Sequence, residues 1–364
     1  MQIDLKYNQV ILVKGPAIVS SLSDAYILGV NIKDKIIRVR ENKILPIEGE
    51  GSITITLEGN GRYEIREMTG IGTQVWDDIR DAISFKHVKS IIIIGANDTG
   101  KSTLAIYLTN MFLNHKIKVF LIDADVGQGD LAPPACIGAS WIKEKIVDLT
   151  IPVDFYEFIG SLTPAERTTL IIDAINRLYT KRGDTPVIIN TDGYIDRYGL
   201  EYKIRLIDMI NPDMILSLGR DTYSDVLLNK YKGKIYLADK PKYVQKDPRE
   251  RLSNRLRRYK QFISNCSRSV KLDRVWLFGD VYHAVIKDRY ISLEPFGPIL
   301  DIHTLKDMYV ALSINKYVVG FGVIRDINSK VSIQTSYEGE FDTIMFSEIK
   351  LNRDLSYEYK IRLV

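Results

Sequence analysis

The stretch Gly95-Ala96-Asn97-Asp98-Thr99-Gly100-Lys101-Ser102 satisfies G-x-x-x-x-G-K-[ST] and brings together the residue types that cradle phosphate. Glycines let the backbone curl around an anion, and N–H groups at a helix start present positive charge to phosphate oxygens. Lys101 has the reach for β/γ-phosphates, and Ser102 offers a hydroxyl to Mg²⁺. The expected nucleotide-binding residues are therefore Gly95, Asn97, Asp98, Thr99, Gly100, Lys101, Ser102 and Thr103, with Lys101 also catalytic. Further on, Val119-Phe120-Leu121-Ile122 runs into Asp123-Ala124-Asp125-Val126-Gly127-Gln128. Carboxylates at the carboxyl end of a parallel strand face the crevice where open α/β sheets bind ligands. Asp123 is expected to hold Mg²⁺ or its waters, and Asp125 to orient or deprotonate a nucleophile.

These residues need a sheet to hold them, and the apolar pattern predicts one. Ser90-Ile91-Ile92-Ile93-Ile94, Lys118-Val119-Phe120-Leu121-Ile122, Pro186-Val187-Ile188-Ile189-Asn190 and Met214-Ile215-Leu216-Ser217-Leu218 are continuous runs, as in parallel strands buried on both faces. Helices expected over 101–114, 164–181 and 200–210 alternate with them, which implies a doubly wound α/β domain of the P-loop NTPase type. Before this domain, short runs such as Ile53-Thr54-Ile55-Thr56-Leu57 are punctuated by Glu48-Gly49-Glu50-Gly51 and Glu58-Gly59-Asn60-Gly61, the pattern of antiparallel strands and tight turns. A helix over Gly72–Ile79 is expected to lead out of that region. After about 272 the strand-like pieces return. The expected organisation is a small β domain over 1–86, a P-loop domain over 87–271 and a mostly β domain over 272–364.

Composition narrows the classes. Across 364 residues, 50 Lys+Arg stand against 46 Asp+Glu, with 45% hydrophobic and 26% charged residues, a balance that excludes a disordered tail protein. Two cysteines, Cys136 and Cys266, are too few for a disulfide-stapled secreted fold. His87, His115, His283 and His303 lack metal-ligand spacing, so no zinc site is expected. The N-terminus lacks the pattern of a signal sequence, and no apolar run reaches the length of a membrane span, so the expectation is a cytoplasmic protein without a membrane partner. The Asn-Lys-x-Asp signature that reads guanine is missing, since the relevant strand continues as Asn190-Thr191-Asp192-Gly193-Tyr194. A kinase acting on an external substrate and an ATP-driven machine remain.

Several motifs in order resemble those of the polynucleotide 5′-hydroxyl kinases, a family that includes the kinase subunit of the pre-mRNA cleavage complex, pre-rRNA-processing kinases and archaeal relatives. Asp123-x-Asp125-Val126-Gly127-Gln128 is similar to the family's Asp-x-Asp-x-Gly-Gln block. Gly160-Ser161-Leu162-Thr163-Pro164 is similar to its Gly-Ser-x-(Thr/Ser)-Pro stretch, and Asn190-Thr191-Asp192-Gly193-Tyr194 to its Asn-Thr-x-Gly-(Trp/Tyr). The resemblance implies ATP or another NTP as phosphate donor, Mg²⁺, a single-stranded RNA or DNA 5′-OH end as acceptor, and RNA-processing proteins as possible associates. It places Gln128, Ser161, Thr163, Thr191 and Tyr194 on the nucleic acid.

Each placement also has a local reading. The amide of Gln128 both donates and accepts, which suits substrate positioning and equally a turn. Thr163-Pro164-Ala165-Glu166 reads as a capping box with Pro at the first helical position, and a helix start is also an anion site. Tyr194 offers an aromatic face for stacking on a terminal base. The segment 241–260 holds eight basic and two acidic residues, with Arg251, Arg255 and Arg258 on one helical face. A solvated basic face is the plain reading. The sharper one is a lid helix around 246–262 whose Arg251 or Arg255 stabilises the transferred phosphoryl group, with Lys246 as a further basic contact implied by the resemblance. The function expected is ATP-dependent phosphorylation of a polynucleotide 5′-hydroxyl. The alternative is a P-loop ATPase or nucleotide-binding subunit that transfers phosphate to no external hydroxyl.

Overall fold

The computed structural model describes residues 1–220, 222–242, 247–271, 275–279, 282–287, 290–295 and 297–363. The chain divides into two compact units, each assembled from three stretches: 1–121, 141–151 and 182–250 in the first, and 122–140, 152–181 and 251–364 in the second. The architecture is α/β, with a parallel P-loop sheet in the middle of the sequence and β-rich regions at either end.

Neighbouring strands of the parallel sheet run in the order Val119–Ala124, Val187–Thr191, Ser90–Gly95, Met214–Leu218 and Ile235–Ala238, the last four within the first unit. Ile91 pairs in parallel with Ile188 on one side and Met214 on the other. Every residue of Ser90–Gly95 is buried, so its sequence is apolar throughout rather than alternating. The chain leaves this strand through the P-loop and enters the helix Lys101–Asn114 at the predicted lysine. That helix buries Leu104, Ala105, Ile106, Tyr107 and Leu108 in succession, as expected of one covered on several sides.

The N-terminal strands supply part of the cover. They form a four-stranded sheet ordered Gln2–Leu5, Gly51–Leu57, Ala17–Ser21, Ile36–Val39, and a five-stranded sheet ordered Val30–Asn31, Ala25–Ile27, Ile44–Gly49, Gln9–Lys14, Arg62–Glu67. Asn110, on the P-loop helix and wholly buried, ties three segments together. Its amide donates to the carbonyl oxygens of Leu28 (2.9 Å) and Ile146 (2.8 Å) and accepts from the Ile146 N–H (2.9 Å). The expected helix after the N-terminal strands is a 3₁₀ turn, Thr73–Trp76, followed by the α-helix Asp77–Ala82. Trp76 is buried, lies 5.8 Å from the ring of Tyr107 and donates to the Asp239 carbonyl at 3.2 Å.

Two predicted helices begin at different residues. The one expected over 164–181 starts at Thr168, because the Arg167 N–H bonds to the Pro164 carbonyl across a turn. Thr163 is therefore not the N-cap. The one expected over 200–210 starts at Arg197, because Asp196 caps it and accepts from the Gly199 N–H at 2.8 Å.

In the second unit, Cys136–Ile142 pairs antiparallel with Phe155–Phe158. A ten-stranded sheet builds the C-terminal region, from Ser267–Lys271 at one edge to Ile299–Asp301 at the other. Trp276, Phe278, Leu312 and Phe346 lie in its core. Arg167 lies over the Phe278 ring at 4.6 Å and pairs with buried Glu348 at 2.7 Å. The basic helix, Pro248–Phe262, buries Tyr259 against Tyr309, with ring centroids 5.0 Å apart. Among the described residues, no helix is long and apolar enough to cross a membrane.

Buried Glu48, at the end of an N-terminal strand, accepts hydrogen bonds from the backbone N–H and the hydroxyl of Thr73. Burial pushes its carboxyl above the usual range, against the lowering effect of those two bonds. A raised carboxyl adds stability below its ordinary pKa that is lost as pH rises through the folded value. Glu48→Gln stays neutral throughout, so its melting temperature relative to wild type should rise between pH 4 and pH 8. Thermal melts at several pH values check this, and a pH-independent difference would contradict it.

Candidate active site

The phosphate-binding loop is shaped by its own backbone. Asp98 and Gly100 both adopt left-handed conformations, with φ of 56° and 92°, which folds the loop back over the end of Ser90–Gly95. The Thr99 hydroxyl donates to the Ala96 carbonyl at 2.9 Å, and the Leu104 N–H returns to the Gly100 carbonyl to start the helix. Lys101 is buried, and its ammonium donates to the carbonyl oxygens of Gly95 (2.9 Å) and Ala96 (2.7 Å). Its cationic end is thereby held on the loop that its neighbours form.

Three contacts join the strand, loop and helix start of this region to the end of the adjacent strand, Val187–Thr191. The buried Asn190 amide donates to the Ser102 hydroxyl at 3.1 Å, which fixes the oxygen predicted to face a cation. Thr191 is wholly buried and donates its hydroxyl to the Ile93 carbonyl at 2.8 Å. Gly193 lies against Asn97 so closely that a Cβ at this position would clash with its side-chain oxygen and come within 2.7 Å of its backbone nitrogen. Only glycine fits there. Tyr194 follows, half-buried, with burial and the neighbouring Asp196 carboxylate pushing its phenol above the usual range. Sequence reading passed over Asn190 as a site residue. Its signal was available, since a polar side chain ending a fully apolar strand beside the P-loop needs a partner.

The second unit holds the other group of predicted residues. Asp123 is buried, and its Oδ2 accepts from the N–H groups of Asp130 (2.9 Å) and Leu131 (3.1 Å). Asp125 Oδ1 accepts from the N–H groups of Gly127 (3.1 Å) and Gln128 (2.9 Å), so the carboxylate organises the turn that presents Gln128. This turn abuts the Ser161–Thr163 loop, where a Cβ on Gly127 would lie 2.7 Å from the Leu162 carbonyl. Ser161 is buried and accepts from the Thr163 N–H at 3.4 Å. Asp125, Gln128, Ser161 and Thr163 thus form one patch.

The basic helix distributes its arginines unequally. Arg255 donates to Glu358 Oε1 through Nε at 2.6 Å and also pairs with it through Nη2, and Glu358 is almost wholly buried. Arg258 is buried and donates to the carbonyl oxygens of Leu131 (2.9 Å) and Ala132 (3.1 Å), just beyond the segment that Asp123 organises. Arg251 is half-buried near the helix start. Lys246 lies outside the described residues.

Comparison with known proteins bears on this region of the chain first. The family model described as "mRNA cleavage and polyadenylation factor CLP1 P-loop" matches residues 95–265. A polyribonucleotide 5′-hydroxyl-kinase of Pyrococcus horikoshii is 33% identical over 190 residues, covering 50% of this chain and 52% of that protein. One from Methanocaldococcus jannaschii is 31% identical over 182 residues, covering 48% and 50%. A polynucleotide 5′-hydroxyl-kinase of Debaryomyces hansenii is 30% identical over 155 residues, covering 39% and 23%. The chain spans about half the length of the curated archaeal relatives it matches. The fold is shared more widely: the Clp1p chain of a Clp1p–Pcf11p complex superposes with a TM-score of 0.68 at 17% identity, over 96% of this chain and 95% of that one. The similarity to polynucleotide 5′-hydroxyl kinases that the motifs implied is thus present in the P-loop region, and the α/β fold with β-rich ends is that of Clp1p.

Removing Arg255 leaves Glu358 buried without its guanidinium. Arg255→Ala should cost about 3 kcal/mol in denaturant melts, and Arg255→Met with Glu358→Gln should recover most of it. Equal losses in the single and double variants would show that the pair contributes no such coupling.

Proposed function

We propose that the protein is an ATP-dependent polynucleotide 5′-hydroxyl kinase acting on RNA, with DNA as a possible second acceptor. The observation that carries this reading is the set of motifs that the matched stretch of chain holds besides the P-loop. The region matched by the CLP1 P-loop family model, residues 95–265, contains the loop itself, the Asp125–Gln128 turn with its Ser161–Thr163 neighbour, and Tyr194 at the end of an adjoining strand. A structural nucleotide site requires only the loop.

On this reading, P-loop N–H groups and Lys101 bind the donor's phosphates, and Asp125 accepts or orients the proton of the 5′-hydroxyl. Gln128, Ser161 and Thr163 position the acceptor strand, and Tyr194 stacks on a base near its end. Thr191 acts from within the sheet, since its hydroxyl is engaged by Ile93. Arg251 or Arg255 meets phosphoryl charge, and Arg255 would have to leave Glu358 to do so. Ser102 and Asp123, both hard oxygen donors, would hold Mg²⁺, which would neutralise charge on the donor's phosphates. A cytoplasmic setting with RNA-processing partners belongs to the same proposal.

The test is transfer of γ-³²P from ATP to a short 5′-OH RNA, with a matched DNA as second acceptor. Wild type should label RNA, and Lys101→Ala and Asp125→Asn, folded by thermal melt, should each lose at least about 100-fold. Phosphate released without labelling of either acceptor would favour the ATPase alternative. Nucleotide retained with neither outcome would favour a binding subunit.

A further inference from the structure

The Asn-Thr-x-Gly-Tyr segment contains one position that its motif leaves open, and here it is Asp192. That carboxylate is not a solvated turn acid: Asp192 is 3% exposed. Its Oδ1 accepts from the Tyr194 N–H at 2.9 Å and meets the Lys203 ammonium at 2.9 Å. Its Oδ2 accepts from the Tyr202 hydroxyl at 2.9 Å. Lys203 is itself wholly buried, with its ammonium 4.4 Å from the centre of the Tyr202 ring. Both partners stand on the helix Arg197–Ile210, behind the loop that carries Tyr194.

A buried ion pair is weak as a source of stability, because desolvation consumes most of its Coulombic gain, so its presence calls for another explanation. The geometry supplies one. A carboxylate accepts several hydrogen bonds at fixed angles, and this one spends its bonds on the Tyr194 backbone from the front and on the helix from the rear. The loop between them is the one that touches the P-loop at Asn97.

We propose that Asp192, charge-balanced by Lys203, is a positioning residue that fixes the Tyr194 backbone, and with it the aromatic face offered to the acceptor strand. This rests on the kinase reading for the identity of that strand as RNA. Asn190 and Thr191 have their own bonds to Ser102 and Ile93, which hold the strand end beside the P-loop without this clamp. Loss of the clamp should therefore appear in acceptor binding and not in donor binding.

Two charge-neutral double variants separate positioning from mere packing. Asp192→Asn with Lys203→Met keeps a carbonyl oxygen for the Tyr194 N–H, whereas Asp192→Leu with Lys203→Met removes it. Both leave no unpaired buried charge, and both should fold with melting temperatures close to each other. The Leu double should raise the KM for 5′-OH RNA about tenfold, the size expected from losing an ordered stacking contact, while the Asn double stays near wild type. The KM for ATP should be unchanged in both. Equal RNA KM values in the two doubles, or an ATP KM that rises with the RNA KM, would overturn the proposal. Wild type run alongside tests the kinase reading separately. If wild type labels no acceptor, fluorescence anisotropy with the same 5′-OH oligonucleotide decides, and affinities that fail to rank the Asn double above the Leu double, or no binding by wild type, would overturn the positioning role.

Discussion

A parallel strand buried on both faces satisfies its backbone only as far as the sheet extends, and the chain must then leave through amide groups that have no sheet partner. Ser90–Gly95 is in that position, and the loop that follows turns the constraint into an anion site. Asp98 and Gly100 take left-handed conformations so that the chain can enter Lys101–Asn114 without a gap. Lys101 then folds onto the loop's own carbonyls, so a buried cation is satisfied by the segment that it serves. The neighbouring strand ends inside the same constraint, and Asn190, Thr191 and Gly193 complete the wall of the loop.

The P-loop helix is held from the far side by the N-terminal β region. Asn110, buried on that helix, joins the carbonyls of two distant segments. Arg40 adds an ion pair with Asp148 at 3.0 Å. Trp76, between the N-terminal strands and the parallel sheet in sequence, packs on Tyr107 of the same helix. The β region is thus part of what fixes the orientation of the phosphate loop.

Much of this was legible in the sequence where a local pattern and a tertiary role coincide. The loop, the four continuous apolar runs and the helix starting at Lys101 follow from short-range rules. What short-range rules do not show depends on partners far along the chain. Spacing of Arg251, Arg255 and Arg258 shows a common face, but not that Arg255 meets Glu358 or that Arg258 meets Leu131 and Ala132. Thr163 and Glu166 satisfy a capping pattern, yet a turn at Pro164–Arg167 delays the helix to Thr168. Asp192 and Lys203 belong to residue types that are nearly always at the surface, so nothing in their local sequence marks them as buried. Thr191 carried a polar group at a strand end, and whether it faced ligand or sheet depended on the carbonyl of Ile93.

Each compact unit is stitched from three stretches of chain, and the stretches alternate. During ribosomal synthesis, the first unit lacks its last stretch until residue 250 has emerged, although its P-loop strand and helix were made much earlier. The second cannot close until the strand Glu358–Lys360 supplies the partner of Arg255. The phosphate loop is therefore made on an incomplete scaffold, with its wall residues Asn190, Thr191 and Gly193 still to come. Truncation at any single internal point would divide at least one unit, so neither unit can be cut out as one continuous stretch of chain.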